Sequence, residues 1–215
     1  MCEECREKLE YIGKHSCHKC GKRLAPSNYE NEICTDCSEK LRLFEQCFCV
    51  FQYNKSARKI AADFKYKHRG DKLEAVSFAL AARLRPELKD IKIDLIVPVP
   101  IHKSRLKERG YNQAEIIAEI VGRALMIPVN NELLTRNSQT SAQNKLNRNQ
   151  RIVNLRQAFS AENAKEIVKE AGIENILIID DIYTTGATME ASAEALLAAE
   201  VKKVYGACIF AGPDK

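Results

Sequence analysis

The most informative stretch of the sequence is Ile176-Leu177-Ile178-Ile179-Asp180-Asp181-Ile182-Tyr183-Thr184-Thr185-Gly186-Ala187-Thr188. Its first four residues are apolar and predict a strand buried on both faces of a parallel sheet. Gly186 permits a tight turn and close approach of the backbone, and the alanine-rich residues 188–200 predict a helix. Ligands of open α/β sheets bind beyond the carboxyl ends of the strands, and the amino end of a helix favours a phosphate. The stretch therefore predicts a phosphate-binding site at a strand end.

The polar residues of this stretch fall into two groups. Thr184, Thr185 and Thr188 carry hydroxyls that can donate hydrogen bonds to a phosphate. Asp180 and Asp181 would repel a phosphate, so we expect them to accept hydrogen bonds from ribose hydroxyls. The alternative is a buried strand followed by an acidic turn and a capped helix. A P-loop does not fit, because the sequence contains no segment with a glycine, four spacers and Gly-Lys-Ser/Thr.

The same order of residue types resembles the phosphoribosyl-pyrophosphate (PRPP) signature of type I phosphoribosyltransferases. The resemblance implies that the paired acids bind the 2′- and 3′-hydroxyls of the ribose and take part in catalysis, and that the following turn binds the 5′-phosphate. It also implies Mg²⁺, which would bridge the diphosphate and ribose oxygens. The PRPP-binding residues implied here are Asp180, Asp181, Tyr183, Thr184, Thr185, Gly186, Ala187 and Thr188.

A second segment with ligand-binding character follows the apolar run Ile93–Val97. Its basic residues come just after a predicted strand, so they can reach the same crevice as the paired acids. Guanidinium and ammonium groups suit the oxygens of pyrophosphate. The alternative is a solvent-exposed basic helix start. The residues that we assign to this part of the PRPP site are Val99, Pro100, Lys103, Arg105 and Arg109.

The acid-free segment, residues 133–161, contains no Asp or Glu and shows poor periodicity. Long loops inside compact domains are usually functional. We predict a mobile loop whose basic residues, including Arg136 and Arg151, close over a charged intermediate and exclude water. Arg151 is the residue of this segment to which we assign a catalytic role. A flexible polar connector is the alternative.

Strands and helices alternate along the larger part of the chain. The residues Cys47–Tyr53 and Lys203–Phe210 predict two further strands, and residues 112–125 predict a helix with one apolar face. This alternation predicts an α/β domain with a mainly parallel sheet flanked by helices, which the PRPP resemblance narrows to the type I phosphoribosyltransferase-like fold. Composition changes near residue 45, so we divide the chain into a cysteine module, residues 1–44, and an α/β domain, residues 45–215.

The cysteine module contains three Cys-x-x-Cys pairs, and two such pairs can complete a tetrahedral zinc site. Cys17, Cys20, Cys34 and Cys37 have zinc-ribbon spacing, and we assign them as ligands of a structural Zn²⁺. The remaining pair, Cys2 and Cys5, stays open: it is unused, recruits His15 or His18, or replaces Cys34 and Cys37 as the partner of Cys17 and Cys20. The other three cysteines are predicted to be buried strand residues; they are Cys47, Cys49 and Cys208.

Two further groups of residues narrow the resemblance. They are Arg105…Arg109-Gly110-Tyr111-Asn112-Gln113 and Arg151…Asn154…Ala158-Phe159. With the PRPP signature and the cysteine module, they resemble the ComF (ComFC) family of bacterial proteins linked to natural competence and DNA uptake. The resemblance implies a protein that binds PRPP and assists the handling of single-stranded DNA, with other competence proteins as partners.

Composition adds weaker constraints. The net charge of +5 suits a phosphate-bearing partner such as DNA, although many proteins share it. No apolar segment is long enough to span a bilayer, and the charged start lacks the apolar core of a secretory signal. We therefore predict a cytoplasmic protein without membrane insertion. Three functions remain open: a DNA-handling competence protein that binds PRPP, a phosphoribosyltransferase acting on a nucleobase-like acceptor, and a non-catalytic PRPP sensor.

Overall fold

A computed structural model describes residues 8–66, 70–136, 158–162 and 164–214. Its centre is a four-stranded sheet whose neighbouring strands are all parallel, in the order β1-β6-β5-β2. This confirms the predicted α/β architecture. The strands of this sheet are β1 (Cys47–Gln52), β2 (Leu95–Pro98), β5 (Asn175–Tyr183) and β6 (Lys203–Ala211).

Helices and loops cover both faces of this sheet. The α-helices of the described residues are α1 (Thr35–Ser38), α2 (Lys55–Tyr66), α3 (Gly70–Glu87), α4 (Lys103–Arg109), α5 (Gln113–Leu125), α6 (Ala164–Ala171) and α7 (Ala187–Ala198). One face of the sheet packs against α2, α3 and α5 in a core that contains Phe64, Leu80 and Ile117. The other face packs against α7 and the cysteine module in a second core that contains Leu196 and Phe44. Within the described ranges, no helix has both the length and the apolar character to cross a membrane.

Strand β5 is longer than the apolar run that predicted it. Residues 176–179 are fully buried, as expected, but the strand continues through both aspartates to Tyr183. It does so because β6 runs beside it throughout: Asp180 is in register with Cys208, and Tyr183 with Ala211. The acids therefore belong to the end of a paired strand and not to a turn.

The cysteine module covers the outer edge of β1. The Ile12 N–H donates to Val50 O at 2.9 Å, and the Gln52 N–H donates to Glu10 O at 2.8 Å. A strand edge presents unpaired N–H and C=O groups. The module therefore supplies hydrogen-bond partners for β1 that no other strand of the sheet provides. The Cys47 N–H donates in the same way to Lys19 O, at 2.8 Å.

Asp214, which follows β6, forms a second set of hydrogen bonds with the cysteine module. One carboxylate oxygen accepts from the Ala25 N–H at 3.2 Å and from the Asn28 side-chain amide at 2.9 Å. The other accepts from the Thr35 N–H at 3.2 Å. Cys17, Cys20 and Cys34 share one apolar core with the sheet. The module and the α/β domain are therefore packed against each other along the described chain.

The ends of the acid-free segment form a short antiparallel pair, β3 (Thr135–Arg136) with β4 (Phe159–Ser160). Leu134 and Ala158 are buried beside it, which fixes both ends of the segment against the domain. Residues 137–157, with Arg151, lie outside the described residues, as do Cys2 and Cys5. The predictions for Arg151 and for this cysteine pair therefore stay predictions.

The contact between Gly21 and β1 gives the first test. Gly21 and Gly13 have almost the same backbone φ, +70° and +67°. A Cβ atom at Gly21 would lie 2.5 Å from Cys47 O, whereas one at Gly13 would meet nothing within 4 Å. Alanine at a positive φ costs of order 1 kcal/mol wherever it is placed. We expect Gly21→Ala to lower the free energy of unfolding by clearly more than about 1 kcal/mol, because the backbone of Cys47 or of Gly21 must also move to avoid the collision.

Urea denaturation of the metal-loaded proteins measures this difference, with Gly13→Ala as the matched control. Equal losses in the two variants would show that the module is not held tightly against β1.

Candidate functional site

The carboxyl ends of β5 and β2 open into a cavity of about 240 Å³, here called the strand-end cavity. Its walls come from both strand ends, from α4 and the loop before it, from the start of α5 and from β3. The parallel arrangement brings these segments together, because the carboxyl ends of all strands meet at one edge of the sheet. The lining residues are Tyr53, Val99, Pro100, Ile101, Arg105, Arg109, Asn112, Gln113, Ala114, Arg136, Asp180, Asp181, Ile182, Thr184 and Thr188.

Asp180 and Asp181 form the acidic wall of this cavity. Both are partly exposed, and neither carboxylate is buried in the core below. The Asp181 N–H donates to Asp180 Oδ1 at 2.8 Å, which fixes the direction of the first carboxylate. Carboxylate oxygens are acceptors only, so this wall suits hydroxyl groups or a cation.

The threonine loop, Thr184–Thr188, joins β5 to α7. Gly186 is the N-cap of α7 with φ +82°, and it accepts from the Glu190 N–H at 2.8 Å. A Cβ atom at this position would collide with the Tyr183 hydroxyl, so only glycine fits. A second cavity of about 30 Å³ lies at this loop and is lined by residues that include Tyr183, Thr184, Thr185, Gly186, Ala187 and Thr188.

Basic and amide side chains line the same cavity as the acids. Arg109 Nη1 donates to Gln113 Oε1 at 3.4 Å. Arg109 Nε and Gln113 Nε2 are buried, yet within the described ranges neither has a hydrogen-bond partner. A buried donor without an acceptor costs of order 1–3 kcal/mol, so these groups are suited to receive the oxygens of an anion.

Arg136 adds positive charge from β3. Burial, together with the neighbouring charge of Arg105, lowers the pKa of the Arg136 guanidinium, and the charge of Asp180 opposes this effect. Its guanidinium carbon also lies 5.2 Å from the centre of the Phe159 ring, a cation–π distance. An anion between Arg105 and Arg136 would relieve their mutual repulsion.

Asn112 connects the start of α5 to the residue that follows β2. Its side-chain amide donates to Val99 O at 3.0 Å, and its Oδ1 accepts from the Ala114 N–H at 3.1 Å as the N-cap of α5. The Val99 N–H donates in turn to Ile179 O at 2.9 Å, next to the acids. Hydrogen bonds therefore connect the start of α5 to the acidic strand end.

The structure places some of the predicted site residues in the strand-end cavity and others outside it. Val99, Pro100, Arg105 and Arg109 line the strand-end cavity with both acids. Lys103 is exposed on α4 and does not line it. Tyr183 is buried, and burial raises the pKa of its hydroxyl. Tyr53 also lines the strand-end cavity, which the sequence analysis did not predict. The one indication in the sequence was its position directly after β1.

Four cysteines of the module form a second candidate site. The sulfur atoms of Cys17, Cys20, Cys34 and Cys37 lie within 4.8 Å of one another. Cys17 Sγ accepts from the N–H groups of Cys20 at 3.5 Å and of Cys34 at 3.3 Å. Four thiols in this arrangement can hold a metal ion such as zinc. His15 instead stacks on Tyr29, and His18 pairs with Glu32 at 3.1 Å.

A buried lysine lies in the same module. Lys22 is 2% exposed and lies 2.6 Å from Asp36. Burial by itself lowers the pKa of Lys22, but the hydrogen bond and charge of Asp36 and the charges of the Cys20 and Cys34 thiolates raise it overall. Zinc with four thiolates would carry two negative charges, and a charged Lys22 would lie within electrostatic range of them.

Cys47, Cys49 and Cys208 are buried strand residues, as predicted. They lie on β1 and β6, where Cys49 and Cys208 are in register. Their sulfur atoms also lie within 4.8 Å of one another.

Comparison with known proteins gives the class first. A family model of the phosphoribosyl transferase domain matches residues 71–215, more than half of the chain. The match contains β2, β5, the threonine loop and every residue that lines the strand-end cavity except Tyr53.

Comparison of the whole chain then gives the particular family. The chain is 30% identical over 203 residues to competence protein ComFC of Bacillus subtilis (strain 168), covering 92% of this chain and 78% of that protein. It is 30% identical over 208 residues to competence protein ComFC of Streptococcus pneumoniae, covering 95% of this chain and 84% of that protein. It is 26% identical over 200 residues to DNA utilization protein YhgH of Escherichia coli (strain K12), covering 92% of this chain and 84% of that protein. The chain belongs to the ComFC family, which confirms the resemblance inferred from its motifs.

The assignment of the four thiols gives the second test. We expect Cys34→Ser to reduce bound zinc by one ion per chain, because the tetrahedral set loses a thiolate. Zinc is measured by elemental analysis of purified protein. Ser38→Ala is the control, since it changes an exposed side chain of the same module outside the set. Unchanged zinc in Cys34→Ser would contradict the assignment.

Proposed function

We propose that the strand-end cavity binds PRPP or a related phosphoribosyl ligand. The supporting observation is that hydrogen-bond acceptors and donors line one cavity. Asp180 and Asp181 offer acceptors, while Arg105, Arg109 and Gln113 offer donors. A ligand that carries both hydroxyl groups and anionic oxygens satisfies both sets of groups, and PRPP carries both.

The parts of such a ligand fit different segments. In this proposal the acids accept from the ribose hydroxyls, the threonine loop donates to the 5′-phosphate, and the guanidinium groups hold the pyrophosphate. Mg²⁺ would be held by diphosphate oxygens together with Asp180 or Asp181, since it prefers oxygen ligands. Gly186 allows the phosphate to approach the backbone closely.

Transfer of the phosphoribosyl group is a further step. Asp180 and Asp181 would stabilise positive charge developing on the ribose, and Arg105 and Arg109 would stabilise the leaving pyrophosphate. Arg151 would act from the acid-free segment. Among the described residues that line the cavity there is no histidine, lysine or glutamate to accept a proton from the acceptor. Binding is therefore the primary proposal, with transfer to a nucleobase-like acceptor and non-catalytic sensing as its two alternatives.

A role in DNA handling is the second part of the proposal. The relatives are described as competence and DNA utilization proteins. Lys103 and Lys107 are exposed and four residues apart on α4, so they lie on one face of the helix. This α4 face follows the loop that lines the strand-end cavity, and it can contact the phosphates of single-stranded DNA. Other competence proteins would be its partners.

We propose different roles for the two parts of the chain. Residues 1–44 would bind zinc and have a structural role, because four thiolates leave no open coordination position. Residues 45–215 would bind the phosphoribosyl ligand.

Calorimetric titration with PRPP tests the first part. We expect wild-type protein to bind PRPP with Mg²⁺, and Asp180→Asn combined with Asp181→Asn to weaken binding by about tenfold or more, because charged hydrogen bonds are lost. Asp90→Asn, in an exposed loop, is the matched control. Full affinity in the double variant would contradict the proposed site. Release of pyrophosphate with DNA or nucleobases would then distinguish transfer from sensing.

Salt dependence tests the second part. We expect affinity for an oligothymidine strand to fall with salt, and the slope of log K against log salt to become shallower by about 0.7 for each phosphate that a variant no longer neutralises. Lys103→Gln with Lys107→Gln should show this change, measured by fluorescence anisotropy. Lys169→Gln, exposed on α6 before the opposite end of β5, is the control. Identical slopes would remove α4 from the interface.

A further inference from the structure

Arg42 connects the cysteine site to the threonine loop. Its side chain is only 5% exposed, although it belongs to a loop of the module. Nη1 donates to Thr185 O at 3.3 Å and lies 3.8 Å from Glu190 Oε1. Arg42 follows Cys37 by five residues in the same module. One buried cation of the cysteine module thus contacts both the loop and the following helix.

The next residue strengthens this connection. The Leu43 N–H donates to Glu190 Oε2 at 3.2 Å. Glu190 lies in the first turn of α7, and its own N–H donates to Gly186 O at 2.8 Å. Residues 42 and 43 therefore hold the loop directly, through Thr185, and indirectly, through the helix that begins at its end.

The contact with Thr185 O sets the direction of a backbone donor. Peptide bonds here are trans, and a trans peptide points its N–H opposite to its C=O. Because Arg42 draws the Thr185 carbonyl towards the module, the Gly186 N–H must point away from it. Backbone N–H groups at the start of a helix are the donors that bind phosphate. The orientation of the loop thus depends on a side chain from the cysteine module.

The contacts of Arg42 require an ordered module. A planar guanidinium can contact a carbonyl and a carboxylate at once, as Arg42 does with Thr185 and Glu190, whereas an ammonium is a single point charge. Metal binding supplies much of the folding free energy of a small metal-binding module. Loss of the metal would therefore release the loop that carries Arg42.

We propose that Arg42 is a positioning residue that couples metal occupancy of the four-cysteine site to ligand affinity at the threonine loop. The inference rests on the proposed function, because it concerns the affinity of that same site. Coupling between two binding sites is reciprocal. The phosphoribosyl ligand must therefore raise the affinity for the metal by the same factor as the metal raises the affinity for the ligand, and we expect the higher metal affinity to appear as slower release.

Zinc-loaded wild type, Arg42→Lys and Arg123→Lys form the experimental set. Arg123 is an exposed arginine of α5 whose Nε donates to Glu119 O within the same helix, so it controls for the substitution itself. Two measurements use PRPP with Mg²⁺: its affinity by calorimetry, and the rate of zinc release to a chromogenic chelator with and without it. A third is hydrogen exchange of the 184–188 amides without ligand.

We expect Arg42→Lys to keep its zinc but to bind PRPP about 5- to 150-fold more weakly, the usual range of coupling between sites. We also expect faster exchange of the loop amides. PRPP should slow zinc release in wild type and in Arg123→Lys, and much less in Arg42→Lys. A structural role confined to the module would leave the exchange of the loop unchanged.

Each failure has a distinct meaning. If wild type does not bind PRPP, the proposed function fails, and the exchange of the loop amides alone decides whether Arg42 orders the loop. If Arg42→Lys matches wild type in affinity, zinc release and exchange, the coupling is refuted. If Arg42→Lys loses zinc during purification, Glu190→Gln replaces it: this variant leaves the module intact but removes the charge that links Arg42 to α7, and an unchanged PRPP affinity would refute the coupling.

Discussion

The parallel pairing of β5 with β6 is the interaction on which both candidate sites depend. It continues past the apolar centre of β5, so that Asp180 is held beside Cys208 and Tyr183 beside Ala211. Continued pairing fixes the backbone of the acids before the threonine loop begins. It also carries β6 far enough for Asp214 to reach the cysteine module. A strand that ended where its apolar residues end would leave both features without support.

The two sites share one core, and this changes how the cysteine module is understood. Arg42, a buried cation of the module, donates to Thr185 O in the threonine loop and lies 3.8 Å from Glu190 at the start of α7. Buried charges are stable only when they are paired and hydrogen-bonded. A metal ion bound by the four cysteines would therefore support the order of the proposed ligand site as well as the fold of a small module.

Local patterns in the sequence predicted the centre of the fold and much of the site. The apolar run 176–179, the residues around Gly186 and the Cys-x-x-Cys spacing each express a constraint that acts within a few residues. Contacts between distant segments left no such pattern. Arg42 reaches Thr185 across 143 positions, and Asp214 reaches Ala25 across 189. Tyr53 enters the cavity wall, and β5 extends beyond its apolar run, because of neighbours that only the folded chain supplies.

The pairing of residues 10–12 with β1 has a consequence for protein quality in the cell. While the module is folded, the outer edge of the sheet is capped by its own chain. If zinc scarcity unfolded the module, the apolar strand Cys47–Gln52 would present an open row of backbone groups, a template for pairing with other chains. Metal supply would then govern whether newly made chains remain dispersed or precipitate, quite apart from any ligand they bind.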